Sequence, residues 1–188
     1  MNYLLNRRYL VLEKCIGTLK EFWSEDLPFN VRSNRPQDGV ALLQMAKGLR
    51  YIHSQKLVHC DINPNNIMIH YSEEQGVQLK LSDFSHSSTQ VQSSLTSEGS
   101  VKGIASWLAP ELLKEDSSTS ANYQSDVFSM GCVFAYFLSR RGMHPFGKDS
   151  WIITAKIIKG QHNLSSNHWL NIVIWKITVI VIIIRFRK

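Results

Sequence analysis

Three polar side chains, Asp61, Asn66 and Asp83, have the types and the order that phosphoryl transfer requires. That reaction depends on positioned carboxylates and amides rather than on a nucleophilic side chain of the protein. Asp61 would accept or orient the proton of a substrate hydroxyl, while Asn66 and Asp83 would hold Mg²⁺ through hard oxygen atoms. The sequence therefore predicts Asp61 and Asn66 as catalytic residues, and Asn66 and Asp83 as metal ligands.

These residues belong to short motifs that occur in a fixed order. The motifs are His59-Cys60-Asp61 with Asn66, Asp83-Phe84-Ser85, Ala109-Pro110-Glu111, and Asp126 with Gly131. Each motif alone is commonplace, but the ordered series is specific. The series resembles the catalytic half of a protein kinase. That resemblance implies ATP and Mg²⁺ as cofactors and phosphoryl transfer to protein hydroxyls.

The segments around the motifs predict the elements that position them. Short apolar or alternating runs at 57–59, 66–70 and 77–84 predict three strands around a catalytic loop, which we define as residues 59–66. Apolar residues at helical spacing predict a long helix over 40–53, and the almost wholly apolar run after Asp126 predicts a buried one. Asp126 lies where the N-cap of that second helix is expected. In kinases the matching Asp also ties down the catalytic loop, and the two roles are compatible.

Further stretches narrow the resemblance. They are Leu42-Leu43-Gln44 with Gly48-Leu49, Trp107 to Leu113, Asp126 to Phe134, and His144-Pro145-Phe146-Gly147. Together they look like the unfolded-protein-response sensor kinase/endoribonuclease family, over about residues 8 to 163. The resemblance implies a cytosolic kinase domain that phosphorylates itself, carried by a protein of the endoplasmic-reticulum membrane.

The same resemblance assigns the N-terminal segment. Tyr9 to Glu13 would be the last strand of the small lobe, Glu13-Lys14-Cys15 the hinge, and Thr18 to Trp23 the start of a helix. Backbone groups at Glu13 and Cys15 would hold the adenine, and Asn63 would lie near the phosphates. No Gly-rich loop, strand Lys or partner Glu precedes them.

The expected fold class is therefore α+β and protein-kinase-like, with a mainly helical C-terminal lobe, short strands around the catalytic loop, and an N-terminal lobe largely missing. Residues 1–163 would form this partial domain. Residues 164–188 would be an atypical apolar tail.

Several motif positions depart from the kinase pattern. Cys60 replaces the Arg that pairs with a phosphate on the activation segment, and Asn63 replaces the Lys that contacts the transferring phosphate. Ser85 replaces the Gly of the metal-binding triplet, which predicts a less mobile Asp83. These departures predict weakened catalysis.

Composition bounds the remaining possibilities. A chain of 188 residues with 44% hydrophobic and 19% charged residues is typical of one globular domain. Three widely spaced cysteines match neither a metal site nor a disulfide framework, which favours a reducing compartment. The dense basic cluster is confined to Arg185, Arg187 and Lys188, so no nucleic-acid partner is predicted.

Two segments keep more than one interpretation. The Ser/Thr-rich stretch 85–100 is either a set of phosphoacceptors or a solvated loop. The β-branched run Leu170 to Ile184, interrupted by Lys176, is a tail anchor, a buried or aggregation-prone segment, or an artefact of where the reading frame ends.

Two function classes follow from the residues. The first is a Ser/Thr protein kinase that uses ATP and Mg²⁺. The second is a non-catalytic pseudokinase or scaffold that binds nucleotide or a partner kinase. The expected partners are a protein substrate or the chain itself, and a second kinase in a dimer. The expected location is the cytoplasm, at the cytosolic face of the endoplasmic-reticulum membrane if a membrane is involved.

Overall fold

A computed structural model gives the structure of most of the chain. It describes residues 11–89, 105–113, 119–140 and 142–161. Within these ranges the fold is a mixed α+β arrangement of four helices and small antiparallel sheets. In chain order the elements are β1 (Gly17–Thr18), α1 (Phe29–Ser33), α2 (Asp38–Ser54), β2 (Leu57–Val58), β3 (Ile67–Ser72), β4 (Gly76–Leu81), β5 (Ser88–Thr89), the 3-10 turns Ala105–Trp107 and Pro110–Leu112, α3 (Tyr123–Leu138) and α4 (Ser150–Lys159).

The three strands predicted around the catalytic loop are confirmed. β3 and β4 form an antiparallel hairpin whose register runs from Ile67 opposite Leu81 to Ser72 opposite Gly76. Gly76 has a φ of 66°, a left-handed conformation that glycine adopts at low cost in the tight turn. β1 adds to the free edge of β3, and β2 pairs with β5 in a separate ribbon. The catalytic loop therefore lies between two strands of different sheets.

Helix α2 packs against one strand of this hairpin, β4. Its buried face carries Leu42, Met45, Leu49 and Ile52, at the spacing of one side of a helix. The Gln44 side chain reaches the adjoining strand, where its Oε1 accepts a hydrogen bond of 3.0 Å from the Leu79 amide. The helix packs on β4 and α3, and its end delivers the chain into β2 and the catalytic loop.

Helix α3 forms the centre of the core, as its apolar composition predicts. Phe134 and Phe137 are fully buried there, with Phe137 packed at 5.2 Å between ring centroids against Phe22. The N-cap is Asn122 rather than Asp126. Asn122 and Ser125 form a reciprocal capping box of 3.0 Å and 2.9 Å, so the helix begins one turn earlier than the apolar run indicates. The prediction of Asp126 as N-cap is therefore wrong.

The N-terminal assignments also need correction. Residues Val11 to Ile16 have no regular structure, and Thr18 to Trp23 form a strand end and turns rather than a helix. A local interaction explains the second difference, because the Glu21 carboxylate accepts a hydrogen bond of 2.8 Å from the Thr18 hydroxyl and closes a tight turn. The rest of the predicted strand Tyr9 to Glu13 lies outside the described residues.

No helix within the described ranges is long and apolar enough to cross a membrane. The apolar tail from Leu170 to Ile184 and most of the Ser/Thr-rich stretch 85–100 lie outside those ranges.

Candidate active site

The catalytic loop is unusually buried for a polar segment. His59, Asp61, Asn63 and Asn66 are each less than a tenth exposed. Buried polar side chains are stable only when they are hydrogen-bonded, so the loop must supply partners for each of them. Cys60 has a φ of 70°, a left-handed conformation that is uncommon for a residue other than glycine. This sharp bend turns the chain from β2 into the loop.

Asp126 anchors the loop from helix α3. Its Oδ2 accepts a hydrogen bond of 2.8 Å from the His59 amide, and its Oδ1 accepts one of 3.0 Å from the Cys60 amide. The same Oδ2 lies 2.9 Å from Nε2 of His53, at the end of α2. The interpretation of Asp126 as a tie on the catalytic loop is therefore confirmed. The carboxylate joins two helices to the loop and satisfies two amides that would otherwise be buried without a partner.

Two amide side chains hold the Asp61 carboxylate. Asn63 Nδ2 donates a bond of 2.8 Å to Oδ1, and Asn66 Nδ2 donates one of 2.8 Å to Oδ2. Asn66 Nδ2 also lies 2.8 Å from the Asp61 carbonyl oxygen. These donors fix the orientation of the carboxylate within the loop. The structure thus brings three of the predicted site residues into direct contact.

His59 connects the catalytic loop to the segment that carries Asp83. Its Nδ1 accepts a hydrogen bond of 3.3 Å from the Asp61 amide, so its Nε2 carries the proton and donates to the Ser82 carbonyl at 3.0 Å. The ring also packs against Phe84, with 5.2 Å between centroids. Residues 82–87, which we name the metal loop, are therefore fixed to the catalytic loop at their start.

Asp83 itself is exposed, and the partners that hold it within the described part of the chain are near neighbours in the sequence. Its backbone has a φ of 60°, a conformation that Asp adopts more readily than most residues. Its Oδ1 accepts a bond of 2.6 Å from the Ser85 hydroxyl and one of 3.2 Å from the Ser85 amide. These two hydrogen bonds, the hydroxyl's first, lower the pKa of Asp83 below its ordinary value. The carboxylate is therefore charged near neutral pH.

Asn66 and Asp83 fit a magnesium ion by the chemistry of their donors. Because both bonds that Asn66 makes to Asp61 use Nδ2, its amide oxygen points away from Asp61. The Asn66 carbonyl accepts a bond of 2.9 Å from the Ser82 amide, which places Asn66 beside the residue that precedes Asp83. No group of three or more His, Cys, Asp or Glu side chains is arranged for a metal among the described residues. One carboxylate with one amide suits Mg²⁺, which takes its other ligands from water and phosphate.

The predicted hinge residues lie along the other end of β3. His70 Nδ1 donates a bond of 3.0 Å to the Lys14 carbonyl, and the Ile16 amide donates one of 2.9 Å to Ile69. His70 is four residues beyond Asn66, about 13 Å along an extended strand. Glu13 forms an ion pair with Lys80 rather than with any loop residue. Cys15 is half-buried, and burial raises the pKa of its thiol.

Cys60 and Asn63, two of the residues that depart from the kinase pattern, have side chains that contact residues within or next to the catalytic loop. The Cys60 thiol points inward, 3.6 Å from the Val58 carbonyl and 3.8 Å from the Ser88 hydroxyl, and burial raises its pKa. Asn63 Oδ1 accepts a bond of 2.9 Å from the Asn65 amide while its Nδ2 supports Asp61. Both side chains are therefore part of the packing of the loop.

Two histidines at the site were missed by the sequence analysis. His53 was assigned only to the end of a helix, and its contact with Asp126 depends on a residue 73 positions away. His86 Nδ1 lies 4.0 Å from Asp61 Oδ2 and 3.2 Å from the Ser85 hydroxyl. The position of His86 next to the metal triplet was the available signal for it.

Comparison with known proteins agrees with this geometry. Residues 3–179 match the protein kinase domain family. The chain is 34% identical to the serine/threonine-protein kinase/endoribonuclease ire-1 of Caenorhabditis elegans, over 84% of this chain and 16% of that protein. It is 39% identical to the serine/threonine-protein kinase/endoribonuclease IRE2 of Homo sapiens, over 81% of this chain and 16% of that protein. It is also 31% identical to an inactive serine/threonine-protein kinase/endoribonuclease IRE1-like protein of Arabidopsis thaliana, over 74% of this chain and 24% of that protein. The chain thus spans about a sixth of the length of the first two relatives.

Proposed function

This chain belongs to the protein kinase family, and from that premise we propose that it transfers the terminal phosphoryl group of ATP to Ser or Thr hydroxyls of proteins, with Asp61 as the base. The observation that carries the proposal is the buried Asp61 carboxylate, held on both oxygens by Asn63 and Asn66. The loop that presents it is fixed in turn by Asp126.

The role of Asp61 follows from its surroundings. Each oxygen accepts one amide hydrogen bond and retains lone pairs for a substrate hydroxyl. Because the two asparagines and the loop backbone fix the carboxylate before substrate arrives, it needs no reorganisation to orient that hydroxyl. The base would then take the hydroxyl proton as the oxygen attacks phosphorus.

The remaining site residues would serve the nucleotide. Asn66 and Asp83 would hold Mg²⁺, which neutralises phosphate charge and orients the transferring group when it is bound. Asn63 would lie near the phosphates as a neutral neighbour. The backbone at Glu13 and Cys15 would contact the adenine. These assignments rest on the donor set at the metal loop and on the family membership.

The test is phosphoryl transfer by the full chain and by its Asp61→Asn variant. Labelled ATP with Mg²⁺ would be supplied with casein, and label would be measured on casein and on the chain itself. Asn keeps the size of Asp but cannot accept the proton, so we expect the rate to fall about 100- to 10,000-fold. Asp38→Asn, at an exposed ion pair with Arg140, is the matched control and keeps the rate. Equal rates for the chain and its Asp61→Asn variant would overturn the proposal.

One observation favours a second candidate, a pseudokinase that binds nucleotide without turnover. At position 63 a buried asparagine replaces the lysine that would place a positive charge on the transferring phosphate. A neutral amide gives the transition state less electrostatic stabilisation. The Arabidopsis relative, named inactive, is similar to this chain over a comparable length. If the chain binds nucleotide but shows no Asp61-dependent transfer of label, this candidate is favoured.

We also propose the wider organisation from the family. Residues 1–163 would form the partial kinase domain and 164–188 a distinct tail, although the family match extends to residue 179. The partners would be protein substrates, the chain itself and a second kinase in a dimer. A place at the cytosolic face of the endoplasmic reticulum, and a part in the unfolded-protein response, follow only from the resemblance to the kinase/endoribonucleases.

A further inference from the structure

The Ser85 side chain forms a hydrogen bond to Oδ1 of Asp83, the residue expected to bind metal. Its hydroxyl donates to Asp83 Oδ1 at 2.6 Å, the shorter of the two bonds on that oxygen, and its amide donates at 3.2 Å. A glycine at position 85 would leave the amide bond and remove the hydroxyl bond. The two bonds therefore have separable roles, because only one of them depends on the side chain.

The direction of the hydroxyl bond follows from its two neighbours, the Asp83 carboxylate and the His86 ring. His86 Nδ1 lies 3.2 Å from the Ser85 hydroxyl oxygen and 4.0 Å from Asp61 Oδ2. The Asp83 carboxylate can only accept, so the Ser85 proton points to Asp83 and His86 Nδ1 donates to the Ser85 oxygen. His86, Ser85 and Asp83 are thus hydrogen-bonded in series, and the His86 ring lies 4.0 Å from the Asp61 carboxylate.

We propose that the Ser85 hydroxyl is an internal competitor for the metal at Asp83, occupying Oδ1 of the carboxylate in the free protein and weakening magnesium binding. This inference rests on the proposed function, in which Asp83 is a metal ligand. The amide of Ser85 suffices to orient Asp83, since a hydrogen bond two residues along the chain closes the same turn without the side chain. The hydroxyl adds no orientation that the amide lacks, and it uses a lone pair and part of the charge that the metal requires.

The alternative is that the hydroxyl supports metal binding by positioning the ligand, as many outer hydrogen bonds do. The two roles predict opposite signs when the hydroxyl is removed. Competition predicts tighter binding in Ser85→Ala and Ser85→Gly. Support predicts weaker binding in both variants.

The test measures Mn²⁺ binding to the full chain by electron paramagnetic resonance, with Mn²⁺ as the probe for the magnesium site and without nucleotide. Ser85→Ala and Ser85→Gly should bind Mn²⁺ about three- to tenfold more tightly than the unchanged chain, as expected for release of one charge-assisted hydrogen bond that water partly replaces. Ser85→Thr keeps the hydroxyl and should bind as the unchanged chain does. Ser33→Ala is the matched control, because that exposed hydroxyl lies on α1 and donates to the Asn30 carbonyl at 3.2 Å instead.

Equal or weaker binding by both Ser85→Ala and Ser85→Gly would overturn the competition. Asp83→Asn separates this failure from failure of the proposed function. If Asp83→Asn abolishes Mn²⁺ binding while Ser85→Ala leaves the affinity unchanged, Asp83 is a metal ligand and the proposed competition is wrong. If Asp83→Asn binds Mn²⁺ like the unchanged chain, or if neither the unchanged chain nor any variant binds Mn²⁺, the assignment of Asp83 as a ligand is wrong. The proposed competition is then wrong as well.

Discussion

The catalytic loop and the metal loop lie side by side, yet they are held in different ways. The catalytic loop is buried, and its backbone amides at His59 and Cys60 bond to a carboxylate more than sixty positions away. The metal loop is exposed at Asp83, Phe84, Ser85 and His86, and Asp83 is held by a residue only two positions along. The loop that carries the proposed base is therefore anchored by a distant part of the fold, whereas the proposed metal ligand is held within its own loop.

This difference explains why the departures from the kinase pattern have unequal consequences. Cys60 and Asn63 are built into a buried network, so reversing either substitution would disturb the packing of the loop. Ser85 lies on the exposed loop, where its side chain can be changed without altering the core. A substitution there acts on the site's chemistry directly.

The largest effect is expected at the anchor of the catalytic loop. Asp126→Ala removes the acceptor for two buried amides, so the free energy of unfolding should fall by about 3 to 5 kcal/mol. Urea unfolding would measure it. Asp38→Asn, at the exposed pair with Arg140, should change the same quantity by less than about 1 kcal/mol. Similar losses for the two variants would contradict the role of Asp126 as the anchor of the catalytic loop.

An intermediate effect of pH is expected at the buried side chain of His144, which follows α3 in the chain. His144 packs against Trp107, with 4.5 Å between ring centroids, and burial lowers its pKa to about 4 from an ordinary 6.5. The unfolded chain therefore takes up the proton first, so this contribution is complete above pH 6.5 and is lost as pH falls towards 4. The loss should reach about 2 to 3 kcal/mol.

Urea unfolding between pH 7.5 and pH 4.5 would test this, with His144→Asn as the comparison. The asparagine oxygen can accept the hydrogen bond of 3.2 Å that the Phe146 amide gives to Nδ1, but it does not titrate. The variant should lose less stability on acidification than the unchanged chain. Parallel curves would show that His144 does not contribute.

The smallest effect is expected on the metal loop. Phe84 is 47% exposed and contacts His59 at 5.2 Å between centroids. Phe84→Ala should therefore lower the free energy of unfolding by less than about 1 kcal/mol, well below the cost for a buried aromatic residue. Phe134→Ala, at a fully buried position of α3, is the contrast and should cost several times more. Comparable costs would mean that the metal loop is part of the core.

Sequence patterns predicted the elements that depend on periodicity. The helix over 40–53 appears as α2, and the alternation at Val77, Leu79 and Leu81 appears as β4. The order of motifs also predicted that Asp61 and Asn66 belong to one catalytic loop, where the structure shows their side chains in contact. These features are local, or are set by a few residues within one loop.

The features that the sequence did not predict depend on contacts or on backbone conformation. The start of α3 was misplaced because the Asn122–Ser125 capping box lies in a polar stretch that lacks apolar periodicity. The left-handed conformations of Cys60 and Asp83 cannot be inferred from residue type, since neither is glycine. The approach of His86 to the Asp61 carboxylate exists only because two loops meet.

The most direct test of the difference between the catalytic loop and the metal loop compares two backbone amides, one in each loop, that both donate to carboxylates. The His59 amide bonds to buried Asp126 at 2.8 Å, and the Ser85 amide bonds to exposed Asp83 at 3.2 Å. Native-state hydrogen exchange of the full chain should show His59 exchanging only through near-global unfolding. Ser85 should exchange through local motion, at least about 100-fold faster. Equal protection of the two amides would contradict the account, because both loops would then be held by the same cooperative structure.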